Sequence, residues 1–119
     1  MIVLALLLAL QGHWSDARPD MGWTRSGASA DAAYFIRPGP RPNLRWQRQE
    51  QRVATPEGVM SAMSLVELDC PGGRMRYLQG SYYPQSNLSG TGSSDTIITQ
   101  WTYPPPGTIN ARFFIDACE

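Results

Sequence analysis

The chain has 119 residues, 42% of them hydrophobic, with 11 Gly, 10 Pro and 2 Cys, and ten basic groups balance ten acidic ones; this length bounds it to a single domain. Every basic residue is Arg, Lys is absent and His13 is the only histidine, which excludes Schiff-base lysine chemistry and any multi-histidine metal site. The neutral balance gives no global pull toward nucleic acid or anionic membranes, and 17% charged residues of mixed sign is the composition of a folded domain rather than of a disordered chain.

Ile2 to Leu10 is an unbroken apolar run, too short for the roughly 20 residues that a membrane-spanning helix needs. It has the length of a secretory h-region, and Ser15 and Ala17 put small residues at both positions that a signal peptidase reads, so residues 1–17 read as a signal peptide cleaved after Ala17. The basic residue that usually opens a signal peptide is missing before Ile2, which points to a start upstream or a minimal n-region; the competing reading is a buried N-terminal strand or helix of a cytosolic domain. Export changes the reading of Cys70 and Cys118, because two thiols in an oxidising compartment pair more readily than they persist as free buried cysteines. Bridging them closes a long loop and removes roughly 4 kcal/mol of denatured-state entropy. Cleavage also removes the only His, leaves ten Arg against nine acids, and deprives a catalytic cysteine of its usual base.

Residues 18–31 are rich in Gly, Ser, Asp and Pro and read as a flexible N-terminal arm with Trp23 as its one large anchor. Ala32 to Arg37 carries β-branched and aromatic residues and is stopped by Pro38, Pro40 and Pro42, which predicts a strand followed by a stiff loop. Leu44 to Val53 is ambiguous: Leu44 and Trp46 are spaced for a strand, while Arg41, Arg45, Arg48 and Arg52 recur at helical spacing. With no apolar stripe beside the arginines, the strand is favoured. Ala62 to Cys70 alternates clearly, Val66, Leu68 and Cys70 on one face and Glu67 and Asp69 on the other. Pro71-Gly72-Gly73 turns the chain into a second strand, Arg74 to Tyr83, making a β-hairpin. After a polar loop, Pro84 to Asp95, the stretch Thr96 to Tyr103 reads as a further strand with Ile97, Thr99, Trp101 and Tyr103 on one side. Three prolines and Gly107 end it. Thr108 then caps a short helix, Ile109 to Ala117, whose apolar stripe Ala111, Phe114 and Cys118, adjoined by Phe113 and Ala117, is expected to lie on the sheet. These elements predict an α+β domain: an antiparallel sheet of about four to six strands, one short C-terminal helix packed on it, and a disulfide closing the two.

The run Val66-Glu67-Leu68-Asp69-Cys70, the strand Arg74-Met75-Arg76-Tyr77-Leu78 with Tyr82-Tyr83, then Trp101, Pro106-Gly107-Thr108 and the closing Ala117-Cys118 resemble the surface-adhesin protein E family of Gram-negative bacteria. Tyr34-Phe35-Ile36 resembles that family's first strand, so the resemblance runs from about residue 32 to 118 and sets the expected domain at residues 32–119. It implies a small exported sheet domain with a C-terminal helix and a disulfide joining Cys70 and Cys118. The family's characterised adhesin binds host extracellular proteins and is lipid-anchored at the outer membrane. The leader of this chain holds no cysteine to acylate, so the expected location is the periplasm, or the cell surface without an evident lipid anchor.

Binding is expected from two kinds of residue. Arg37, Arg41, Arg45, Arg48 and Arg52, with Glu50 the one acid among them, form a basic stretch that could hold an anionic polymer or lipopolysaccharide, set against the plainer reading of a solvated strand face. Arg74 and Arg76 share a strand face and are placed to meet Glu67 or Asp69 across the hairpin, where cross-strand ion pairs are worth about 0.2–1 kcal/mol. Tyr77, Tyr82, Tyr83, Trp101 and Tyr103 supply aromatic surface of the kind favoured at interfaces, though packing in the core would use part of it. The residues singled out as a binding set are Arg45, Arg48, Arg74, Arg76, Tyr82, Tyr83 and Trp101. Gly90-Thr91-Gly92-Ser93-Ser94 lacks the Lys and the following helix of a phosphate loop.

Catalysis would fall to carboxylates such as Glu67, Asp69, Asp95 and Asp116, whose spacing selects no acid–base pair. The expectation is therefore a non-enzymatic envelope or surface module, with no cofactor and no metal, that engages a protein partner and not nucleic acid. It is not an integral membrane protein, and a dimer is compatible with the pattern. The alternative is a periplasmic inhibitor or chaperone-like factor presenting the loop Pro84 to Asp95 to an envelope enzyme.

Overall fold

The computed structural model describes residues 22–119; the expected signal peptide and its cleavage position lie outside the described residues. Six strands form one antiparallel sheet in strictly sequential order: β1 Thr24–Ala28, β2 Ala32–Pro38, β3 Leu44–Gln51, β4 Ser61–Asp69, β5 Arg74–Tyr83 and β6 Ser93–Asp95. One helix follows, α1 Ile109–Cys118. Hairpin connections carry the meander throughout, short after β1, β2 and β4 and longer after β3 and β5, with turn residues at Pro42, Gly58 and Pro71-Gly72-Gly73.

The β4–β5 hairpin has the predicted alternation. Leu68 pairs with Met75, Glu67 with Arg76 and Asp69 with Arg74. Its turn depends on both glycines: Gly73 sits at φ +71°, and a Cβ on Gly72 would strike the Asp69 carboxylate, which accepts the Gly72 N–H at 3.0 Å. The ambiguous stretch after Leu44 is a central strand, paired with β2 and β4 on its two sides. Helical spacing of its arginines was coincidental.

The sheet buries apolar residues on both faces. Val66, Leu68 and Met75 pack under the helix residues Phe113 and Ala117, while Trp23, Ala33 and Phe35 form a second core on the opposite face with Trp46, Met63 and Leu88. The helix stripe is therefore rotated from the expected one. Phe113 and Ala117, one turn apart, are buried, and Phe114 and Cys118 lie at the margin. Thr108 caps the helix as predicted, its Oγ1 accepting from the Ala111 N–H at 3.2 Å. Cys70 and Cys118 form the disulfide, with Cα atoms 5.8 Å apart, tying the end of β4 to the end of α1.

Two segments differ from their sequence expectations. Thr24–Ala28, inside the stretch read as an arm, is an edge strand hydrogen-bonded to β2. Its composition is polar, but it is held from three sides: Trp23 anchors its start in the second core, Gly27 lets Ile109 and Arg112 of the helix approach closely, and Ser26 Oγ donates to Asp116 Oδ2 at 2.9 Å. Thr96 to Tyr103, in contrast, is not a regular strand. It follows β5 through Thr99 N–H to Tyr77 C=O at 2.9 Å and through a reciprocal pair between Met75 and Thr102. Three residues step from Thr99 to Thr102 where β5 steps two, so the ladder breaks and Trp101 is displaced from it. The regular edge strand is instead the short β6, paired to Gly80, Ser81 and Tyr82.

Candidate binding surface

The hairpin places Arg74 and Arg76 on the face of the sheet away from the helix, because Met75 between them points into the helix-side core. Each guanidinium is held by the carboxylate opposite it: Arg74 Nε donates to Asp69 Oδ2 at 2.7 Å and Arg76 Nε to Glu67 Oε1 at 2.6 Å. The displaced Trp101 then lies against both, its ring centroid 4.4 Å from each guanidinium carbon, within the range of cation–π attraction. Hydrogen bonds from the Arg74 side chain and the Gly72 N–H hold the Asp69 carboxyl below the usual carboxylate range. The Asp69 partner, with Tyr103 adding to it, pushes the Arg74 guanidinium up. Tyr103 is 67% exposed and Ile98 nearby in sequence 64%. The result is a half-buried indole held against two arginines that are already ion-paired, with the exposed Tyr103 ring beside Arg74.

The other members of the predicted binding set are distributed elsewhere. Arg48 is 3% exposed. Its Nε donates to Glu50 Oε2 at 2.7 Å, its Nη2 to Asn87 Oδ1 at 2.6 Å, and its guanidinium stacks on Phe35 and Trp23. This residue belongs to the core, and the continuous basic stretch expected around it does not form: Arg45 faces the opposite side of the sheet, and Arg37 stacks over Trp23. Arg45 Nη1 donates to the carbonyls of Pro42 and Leu44, and its side chain borders a hollow shared with Arg112, Asp116 and Glu119. Tyr82 and Tyr83, consecutive in β5, necessarily point to opposite faces; Tyr82 lies over Gly80 and Tyr83 beside Gly92. Of the seven residues, Arg74, Arg76 and Trp101 alone share one site.

The loop after β5 closes on its own sheet. Asn87 N–H donates to both oxygens of Glu50, at 3.0 and 3.1 Å. Ser61 Oγ donates to the Gln85 carbonyl at 2.6 Å and accepts from the Leu88 N–H at 2.9 Å. Asn87 and Leu88 both adopt positive φ, 60° and 58°, the cost for Leu88 being offset by its packing in the second core. The sequence contained no sign of this polar node, since Glu50 stands in a glutamine- and arginine-rich strand where a solvent-facing side chain is the default. Among the catalytic carboxylates considered, Glu67 and Asp69 are bound by arginines, and Asp116 accepts from Arg112 Nε at 3.2 Å. Among the described residues no group of His, Cys, Asp and Glu is placed to hold a metal ion, and no helix is long and apolar enough to cross a membrane.

The chain is thus a disulfide-closed antiparallel meander with one docked helix and an Arg74–Trp101–Arg76 stack on the opposite face. Residues 43–119 match the family model of surface-adhesin protein E, and the chain belongs to that family. The match begins at the turn before β3, so β1 and β2 lie outside it, whereas the resemblance read from the sequence extends to residue 32. No curated protein and no solved structure matches the chain. Family membership supports a surface adhesin-like role for an exported protein.

Proposed function

We propose that the protein is an exported, non-enzymatic module of the envelope or cell surface that binds a host or envelope protein through the Trp101 surface. The observation that supports this reading is the fixed indole, stacked against two arginines whose charges are already matched by Asp69 and Glu67. Indole and guanidinium groups dominate binding hot spots because they combine large apolar area with directed polar contact. Held in place before contact, they lose little side-chain entropy on association. Matched charges favour a protein partner over an anionic polymer or lipopolysaccharide, which would have to displace the carboxylates. The signal peptide ending at Ala17 is part of the same reading, as is residence in the periplasm or at the surface.

The test is capture from envelope and host-matrix extracts with the oxidised mature domain, followed by affinity measurement on the recovered protein. Trp101→Ala is expected to weaken binding by about thirtyfold or more, equivalent to about 2 kcal/mol. Arg45→Ala, far from this surface, is expected to bind as the parent does. Equal affinity of the Trp101→Ala and parent domains would place the interface elsewhere.

A further inference from the structure

On the helix side of the sheet, α1 covers only the end near the disulfide. Beyond it, two adjoining hollows of about 490 and 330 Å³ share Gln49, Ala62, Tyr82 and Asp95, a combined volume within the range of small-ligand sites. The pairing register explains the trough. Gln47 is opposite Ser64 and Gln49 opposite Ala62, while Ser64 is opposite Gly80 and Gly80 opposite Asp95. Small residues in β4 and β5 thus lie between long amides from β3 and a carboxylate from β6.

Three properties of the trough define its ligand. Its β3 wall is the amide row Gln47, Gln49 and Gln51, and Gln47 is 4% exposed with an Nε2 that has no hydrogen-bond partner; the Oε1 of the same side chain accepts from the Tyr77 hydroxyl at 3.2 Å. That nitrogen is itself enclosed, so the amides open to a ligand are the half-buried ones of Gln49 and Gln51. Glu57 and Asp95 add acceptors, and none of the described arginines lines either hollow. The Tyr82 ring, laid over Gly80, offers an aromatic face at the centre. An anionic ligand would meet two carboxylates and no cation. An extended peptide would find the backbone of β3, β4 and β5 already paired, leaving its own main-chain groups unmatched. A neutral oligosaccharide meets each feature: its hydroxyls both donate and accept, as carboxamides do, and its C–H face packs on the ring.

We propose that this trough is a binding site for a neutral oligosaccharide, separate from the Trp101 surface on the other face. Amide resonances of the isotope-labelled oxidised domain report on it directly during titration with chitotetraose and maltotetraose, with tetralysine and a heparin tetrasaccharide as charged controls. Saturable shifts of the Gln49 and Gln51 side-chain amides with a neutral tetrasaccharide are expected. Affinity should fall about tenfold or more in Tyr82→Ala and in Gln49→Ala, fall less in Tyr82→Phe, and persist in Trp101→Ala. Gly80→Ala, whose new Cβ would lie 2.7 Å from the Tyr82 hydroxyl, should displace the ring and weaken binding as well. Tyr82→Phe and Gln49→Ala carry the test where Tyr82→Ala does not fold. The proposal is overturned if neither neutral tetrasaccharide gives saturable shifts, if folded Tyr82 and Gln49 variants bind as the parent does, or if a charged control alone occupies the trough.

Discussion

A carboxylate that is 1% exposed needs a partner on each oxygen, and Glu50 has them in the Arg48 guanidinium and the Asn87 N–H. Removing it leaves Arg48 charged and buried, so Glu50→Ala is expected to destabilise the domain by about 3–5 kcal/mol in urea denaturation. A loss below about 1 kcal/mol would mean that water reaches Arg48. Asp69 carries a smaller, pH-dependent effect. Its pKa is lowered in the fold by Arg74 and Gly72, so the contribution is complete above the ordinary aspartate value of about 3.9 and is lost as the pH falls below it. Asp69→Asn should therefore be less stable than the parent at pH 7, with the difference closing as the pH falls through the lowered value of the folded state; a gap of constant size would exclude the charge as its origin. These two residues also mark what sequence reading reaches. The cross-hairpin pairs follow from β alternation and were legible; the Glu50 node joins residues 37 apart through a loop whose path no local pattern encodes.

Strands declared themselves where one face was apolar and failed to where context supplied the stability. The β4–β5 hairpin follows from alternation and two turn glycines. Strand β1 has a turn-like composition and exists because Trp23, β2 and the helix enclose it, an instance of tertiary packing overriding propensity. Thr96 to Tyr103 has good strand composition, yet one surplus residue between its anchors ends the ladder and delivers Trp101 to the arginines. The candidate surface was thus half legible: Arg74, Arg76 and Trp101 stood out by residue type, but their convergence depends on an irregularity that the sequence pattern does not encode. The helix start was legible in full. Thr108 Oγ1 accepts from Ala111 N–H and donates to the Pro105 carbonyl at 2.7 Å, joining cap and proline turn. Thr108→Ala is expected to cost about 1 kcal/mol and Thr108→Asp to recover most of it, measured as midpoint shifts in urea. No loss in the alanine variant would show that the proline turn alone sets the helix.

Across the molecule, the disulfide and the two surfaces divide the sheet between them. Cys70–Cys118 fastens α1 over one end of the helix-side face, and Ser26–Asp116 couples that helix onward to β1. The trough occupies the uncovered remainder of the same face, while the Arg–Trp surface lies on the other. Their dependence on the clamp therefore differs. Joining residues 48 apart in sequence restricts the unfolded chain by about 4 kcal/mol in the chain-entropy model, which for a domain of this size corresponds to a Tm difference of roughly 15–30 °C. The Cys70→Ala/Cys118→Ala variant should lose that stability. In hydrogen exchange at low temperature, protection should fall first in α1 and next in β1, which keeps its ladder to β2 but loses the helix that covers it. Protection of β3, β4 and β5, whose ladders do not involve the helix, should outlast it. Simultaneous loss across all six strands would instead make the disulfide a condition of the whole fold, and the two surfaces could then not be altered independently.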